Sequence, residues 1–258
     1  MTDFQLIETM RWEPGVGIVR LRLHLARLRR SAARLGFPGA NEAEGRLEDV
    51  LGVPPSALSG ISPTRGEIVG DASRPKANPE LFSPPVGEMS ARPTEGGETA
   101  DGDSPLRVRL TLDSTGQIDI TTAPFTPLPA DTIWTVRIAK TRLASADPLL
   151  RYKTSRRAVY EAARAEYRTA EADEVLLLNE RDEPCEGTIT SLFIDDGSGV
   201  LKTQPISCGL LAGVLRTEMI CQRKARVQRL TLDDLKRGPV FMGNSLRGLI
   251  RANILWGN

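Results

Sequence analysis

From Gly52 to Pro105 the sequence has few aromatic residues and no periodic apolar spacing, and Gly, Pro, Ser, Glu and Ala dominate it. A segment like this cannot bury enough apolar surface to offset its conformational entropy. Residues 53–105 are therefore expected to be a disordered insertion, and any core must come from the two flanking stretches. With 258 residues, 40% of them hydrophobic, the chain can still build one large domain or two small ones.

The first stretch begins with an apolar run (Phe4, Leu6, Ile7) that ends at Glu8-Thr9-Met10. A Pro14-Gly15 turn and the alternation Val19-Arg20-Leu21-Arg22-Leu23 follow, which predicts a hairpin. From Leu25 the spacing changes to Leu25, Leu28, Ala32 and Leu35, one face of a helix stopped by Gly36 and Pro38. Arg29, Arg30 and Arg34 read as its solvated face, and Arg27 lies near its start. After the insertion, Leu106–Leu112 alternates as a strand and Ile118–Ile120 pairs back across a turn at Asp113–Gly116. Pro124, Pro127 and Pro129 suggest a linker.

Residues 131–258 read as a second unit. Strands are predicted at Ile133–Ile138, at the buried-type run Glu174–Asn179, at Ser191–Ile194 and from Val240 into a Gly243-Asn244-Ser245 turn. Helices are predicted at Ser155–Tyr167, after Gly213, and at Thr231–Leu235 with Thr231 as N-cap. The pattern is α+β in two lobes: an N-terminal lobe at 1–125, a linker at 126–131 and a strand-rich C-terminal lobe at 132–258.

Composition removes several functions. Net charge is +1, from 34 basic and 33 acidic residues, so bulk attraction to nucleic acid or an anionic membrane is not expected. No apolar run approaches the ~20 residues of a membrane span, and Met1–Phe4 lacks the start of a secretory signal. Cys185, Cys208 and Cys221 are too scattered for a disulfide framework or a metal site, which makes a reducing cytosol the expected location. The single histidine, His24, sits where a strand gives way to a helix, and helix capping or partial burial is its expected role. Enzyme chemistry would then run through lysine, carboxylate and a cofactor.

Lys153 ends the strand-like stretch Leu149-Leu150-Arg151-Tyr152, and Glu186 opens a Gly/Thr/Ser turn further on. A pyridoxal phosphate site needs such a pair: an amine for the aldehyde, and a carboxylate for the ring nitrogen that makes the ring an electron sink. The turns Gly213-Val214-Leu215 and Gly243-Asn244-Ser245 could offer amides and a hydroxyl to a phosphate, and Arg27 could neutralise it. Taken singly, Gly213 also reads as a plain helix start, Ser245 as a turn cap and Glu186 as a surface acid.

In order along the chain stand Leu6-Ile7-Glu8-Thr9-Met10-Arg11-Trp12, His24-Leu25-Ala26-Arg27-Leu28, Asp147-Pro148-Leu149-Leu150-Arg151-Tyr152-Lys153-Thr154, Glu186-Gly187-Thr188-Ile189-Thr190, Cys208–Arg216 and Gly243–Gly248. In these segments the chain resembles the fold-type IV, class IV aminotransferase-like, pyridoxal phosphate enzymes. Within that group it is most similar to the 4-amino-4-deoxychorismate lyases, especially the lyase half of bifunctional synthase–lyase chains. The resemblance implies a D-amino acid aminotransferase-like fold with the cofactor between two lobes. It makes Lys153 the catalytic Schiff-base lysine and Glu186 the partner of the pyridine nitrogen. Arg27, Val214, Leu215 and Ser245 become the phosphate ligands. The implied reaction releases pyruvate and 4-aminobenzoate, with Arg107, Arg109 or Arg247 holding the substrate carboxylates. The implied partners are a second copy of the chain and a separate aminodeoxychorismate synthase.

Two positions depart from the pattern: Ser191 stands where asparagine is common, and Tyr152 where related halves often have histidine. Branched-chain transaminases place a tyrosine five residues after the lysine, where this chain has Ala158. A D-amino acid transaminase and a non-catalytic partner of a synthase subunit are the other readings.

Overall fold

The computed structural model describes residues 4–52 and 104–256. The expectation of disorder at 53–105 falls almost wholly outside the described residues. Within them the chain forms two sheets and five α-helices.

The first sheet has the order β2-β1-β3-β4, with β1 at Leu6–Glu13, β2 at Gly17–Ile18, β3 at Leu106–Leu112 and β4 at Ile118–Pro124. Alternation decides its two faces. Leu6 and Met10 of β1 and Val108, Leu110 and Leu112 of β3 point inward. They pack against Leu21, Leu25, Leu28 and Ala32 of α1 (Leu21–Leu35) and Leu47 of α2 (Ala43–Leu51). Val108, Leu110 and Leu112 are 0% exposed, so truncating either leucine to alanine removes core volume worth about 2–5 kcal/mol. The opposite face carries Thr9 paired with Arg109, and Arg11 paired with Arg107.

The predicted strand over Val19–Leu23 is not there. The hairpin's second strand stops at Ile18, and Arg20, in the left-handed region at φ 63°, turns the chain into α1 at Leu21. Leu21 belongs to a helical stripe with His24, Leu25 and Leu28, all buried, and burying that stripe outweighs a short two-residue alternation. The helix ends at Gly36, whose positive φ lets its amide reach Ala32 O.

The second sheet contains β5 (Ile133–Leu143), β6 (Glu174–Asn179), β7 (Pro184–Gly187), β8 (Ser191–Ile194), β9 (Leu201–Thr203), β10 (Ala225–Val227), β11 (Val240–Asn244) and β12 (Gly248–Leu255). Its order is β10-β9-β8-β11-β12-β5-β6-β7, and β7 also pairs with β8 through Glu186 and Ser191. That pairing closes β8-β11-β12-β5-β6-β7 into a ring. One face of β6 (Leu176, Leu178) packs with Val136, Leu192 and Met242, while the other (Val175, Leu177) packs with Ala163 of α3 (Ala158–Ala165). Both faces are covered, which explains the uninterrupted apolar run.

The helix predicted from Ser155 starts only at Ala158. Thr154 is held extended by a bridge to Leu6, and the Ser155 amide donates to Gln5 O at 2.9 Å. A helix that begins at Val214 (α4, Val214–Cys221) follows Gly213 as expected, and α5 is confined to Asp234–Arg237. Thr231 lies before α5, where its amide and hydroxyl donate to Asp234. No described helix is long and apolar enough to cross a membrane.

Candidate active site

Between the outer face of the first sheet and the mouth of the strand ring lies a cleft of about 340 Å³. All the residues nominated from sequence line it: Arg27, Arg107, Arg109, Lys153, Glu186, Val214, Leu215, Ser245 and Arg247.

The stretch before Lys153 is not a strand: Pro148–Arg151 forms a single-turn helix, because Asp147 caps it by accepting from the Leu149 amide at 2.8 Å. The Lys153 carbonyl accepts from the Ile7 amide at 2.8 Å, which fixes the backbone to β1. Its Nζ has no hydrogen bond among the described residues and faces the cleft. Enclosure, together with the positive charges of Arg27 and Arg157, lowers its pKa to about 8, while Glu8 and Glu186 oppose the shift.

Glu186, on β7, is 5% exposed. The Tyr160 hydroxyl donates to its Oε1 at 2.7 Å and the Leu211 amide to its Oε2 at 3.1 Å. Burial pushes its pKa up to about 7, against both hydrogen bonds and the nearby Lys153 and Arg157. Burial and the Glu186 charge raise the Tyr160 phenol, which therefore stays a proton donor. Arg157 stacks 4.9 Å from the Tyr160 ring centroid and donates to Thr188 O at 2.5 Å. The turn after Glu186 is held from behind by the buried Glu174, whose oxygens accept from Thr188 N and Oγ1, Ile189 N and Thr190 Oγ1.

At the other end of the cleft, α4 starts at Gly213 with no side-chain cap, leaving its first amides, Val214 and Leu215 among them, without intrahelical acceptors. A β-carbon on Gly213 would sit 2.6 Å from Ser191 Oγ, so a side chain there would displace the buried serine hydroxyl. Beside it, Ser245 Oγ lies 2.8 Å from His24 Nε2, and His24 Nδ1 lies 2.6 Å from Glu8 Oε2. Arg27 donates from Nε to Glu8 Oε1 at 2.9 Å and from Nη2 to Oε2 at 2.5 Å. Burial alone would raise Glu8, but the Arg27 charge and the His24 bond overcome it and hold Glu8 at about 2. His24 is neither a helix cap nor partly exposed. It lies within α1, 1% exposed, and bridges β1 to the turn after β11.

Arg107 and Arg109 belong to β3, and Arg247 follows β11, its guanidinium 6.0 Å from the Trp134 ring centroid; all three line the cleft. Burial lowers the Arg247 pKa, Glu174 opposes this and the like charge of Arg107 adds to it. Neither arginine has an ion pair among the described residues. Tyr152 lies on the same wall as Lys153.

Glu8, Tyr160 and Glu174 went unassigned in the sequence. Glu8 had a readable signal, because an acid shares the inward phase of β1 with Leu6 and Met10. Tyr160 and Glu174 act through contacts between elements distant in sequence, and no spacing signals these.

The donor set fits pyridoxal phosphate. It comprises an unpartnered amine of lowered pKa, a buried carboxylate in the same cleft, and a guanidinium, a hydroxyl and free helix amides. Fold and site together define a class IV aminotransferase-type enzyme. The model of that family, amino-transferase class IV, matches residues 93–254. A Mesorhizobium loti structure provisionally designated an amino-acid aminotransferase is 41% identical, with a TM-score of 0.76 over 98% of this chain and 100% of that one. The 4-amino-4-deoxychorismate lyase from Pseudomonas aeruginosa (19% identical, TM-score 0.66, 97% and 83% covered) shares the fold. So does the branched-chain amino acid aminotransferase from Escherichia coli (16%, 0.68, 98% and 78%). No curated protein sequence matches. The chain belongs to the class IV aminotransferase family and is a pyridoxal phosphate-dependent enzyme.

Proposed function

We propose that the enzyme is a lyase that converts 4-amino-4-deoxychorismate to 4-aminobenzoate and pyruvate. The observation that carries this reading is the pair of cations Arg107 and Arg247, without carboxylate ion pairs among the described residues, lining the same cleft as Lys153 and Glu186. A substrate with two carboxylates supplies the missing counter-charges, and charge-assisted bonds fix its orientation.

In this reading Glu186 would hold the cofactor's ring nitrogen, with Arg27, Ser245 and the Val214 and Leu215 amides at its phosphate. When bound, pyridoxal phosphate supplies an aldehyde for the substrate amine and a ring that delocalises the electrons left by a departing proton. Lys153, with its pKa lowered to about 8, is substantially uncharged at mildly alkaline pH and can take a ring C–H proton at Nζ. The enolpyruvyl C–O bond then breaks and the ring becomes aromatic. The proton held by Lys153 balances the one that pyruvate's methyl group gains. A homodimer, and association with a synthase chain, belong to the same reading.

Transamination is the second reading, favoured by the 41% identity to the Mesorhizobium loti protein. Ala158 at the fifth position after Lys153 speaks against the branched-chain type, and Tyr160 supplies the hydroxyl beside Glu186 instead. Supplying the holoenzyme with 4-amino-4-deoxychorismate decides between them. Equimolar 4-aminobenzoate and pyruvate without an added oxo acid support the lyase. Turnover only of an amino acid with 2-oxoglutarate overturns it.

A further inference from the structure

The hydrogen atoms in the Glu8–His24–Ser245 chain can be placed by elimination. Glu8 is a carboxylate at any working pH and can only accept, so His24 Nδ1, 2.6 Å from Glu8 Oε2, must carry a hydrogen. A neutral imidazole has one N–H, which leaves Nε2 bare. The Ser245 hydroxyl, 2.8 Å away, must then give its hydrogen to Nε2. In that state Ser245 Oγ offers the cleft only lone pairs, and a phosphate oxygen facing it also offers only lone pairs.

We propose that His24 is a positioning residue that takes up a proton when the cofactor's phosphate engages Ser245, so that phosphate binding and His24 protonation are one linked event. This rests on the assignment of Ser245 and Arg27 to the phosphate end of the site. With both ring nitrogens protonated, Nδ1 still donates to Glu8 while Nε2 donates to Ser245 Oγ. The serine hydrogen is then free for the phosphate. The alternative, rotation of the hydroxyl away from a neutral ring, leaves Nε2 buried without a donor.

The surroundings support a switch between these two states. Enclosure, Arg27 and Lys153 push His24 towards the neutral form, and its bond and charge contact with Glu8 push the other way. The charged groups that face this locus are Glu8 from β1, Arg27 on α1 and Lys153 beside the cleft. Arg20 donates to Ser245 O at 3.3 Å and is paired with Glu218 of α4 at 2.6 Å. An incoming phosphate offsets the Arg27 cation that helps keep the ring neutral, and engagement of Lys153 by the cofactor removes a second opposing charge.

Because the chain has one histidine, ¹⁵N-histidine labelling of untagged protein gives a single imidazole signal by NMR. At pH 8 the cofactor-free protein should show a neutral ring protonated at Nδ1. Saturation with pyridoxal phosphate, verified by visible absorbance, should protonate both nitrogens. Pyridoxal, which lacks the phosphate, should leave the ring neutral, as should pyridoxal phosphate in Ser245→Ala. Several results would overturn the proposal: a neutral ring in the loaded wild type, a doubly protonated ring before loading, or protonation in loaded Ser245→Ala or with pyridoxal. If pyridoxal phosphate produces no absorbance change, the site assignment itself fails and takes this proposal with it.

Discussion

The Tyr160 hydroxyl donates to Glu186 Oε1 at 2.7 Å, joining the start of α3 to the buried carboxylate of β7. The bond favours the ionised carboxylate and opposes burial, which nonetheless pushes the Glu186 pKa up to about 7. Tyr160→Phe should therefore raise the Glu186 pKa further and leave less carboxylate to meet the cofactor ring at neutral pH. A hydrogen bond to a charged group contributes about 1.5–3 kcal/mol, so pyridoxal phosphate affinity should fall roughly 10- to 100-fold. Equilibrium titration by absorbance checks this, and an unchanged Kd would show that Tyr160 does not support Glu186.

Glu186 also predicts a pH dependence of the cofactor-free protein. Its folded pKa of about 7 lies above the ordinary 4.5, so the folded state holds the proton more tightly than the unfolded one. That contribution is complete below pH 4.5 and is lost as pH rises through 7. Urea unfolding between pH 4.5 and 8 should show Glu186→Gln with a flatter slope than wild type, by up to about 3 kcal/mol across the window. Parallel slopes would contradict the assignment.

Glu8 works in the opposite direction. Its folded pKa of about 2 lies below 4.5, so its stabilisation is present above pH 4.5 and is lost as pH falls through 2. Glu8→Gln leaves Arg27 buried without its counter-charge, which costs about 3–5 kcal/mol at pH 7. It also removes part of the acid sensitivity. Denaturant midpoints at pH 7 and pH 3 test both effects, and equal stability at pH 7 would refute the role given to this pair.

Arg247→Gln should weaken substrate binding more than chemistry. Loss of one charge-assisted contact predicts a KM raised about 10- to 100-fold with a smaller change in kcat, and an unaltered cofactor absorbance. A kcat loss with KM unchanged would place Arg247 elsewhere in the reaction.

Much of this architecture could be read from residue order. The alternation of Leu106–Leu112 and the solid apolar run of Glu174–Asn179 each report a local burial pattern, and both became the expected strands. Lys153, Glu186 and the Gly213 turn are legible because an amine, an acid opening a Gly/Thr/Ser turn and a glycine at a helix start are each residue types that a pyridoxal phosphate site uses. The failures share one cause. At Val19–Leu23 and Ser155–Arg157 the local pattern was ambiguous, and packing of α1 on β1, or pairing of Thr154 with Leu6, settled it. The role of His24 is hidden for the same reason: its neighbours Glu8 and Ser245 lie 16 and 221 positions away. A single sequence does not display contacts at such separations.

Lys153 is the residue proposed to engage the cofactor. Borohydride reduction of the holoenzyme followed by peptide mass spectrometry fixes the cofactor covalently wherever it is bound. The prediction is one phosphopyridoxyl group, on Lys153, with loss of visible absorbance and of activity in Lys153→Ala. A label on another lysine, or a Lys153→Ala enzyme that still turns over substrate, would contradict it.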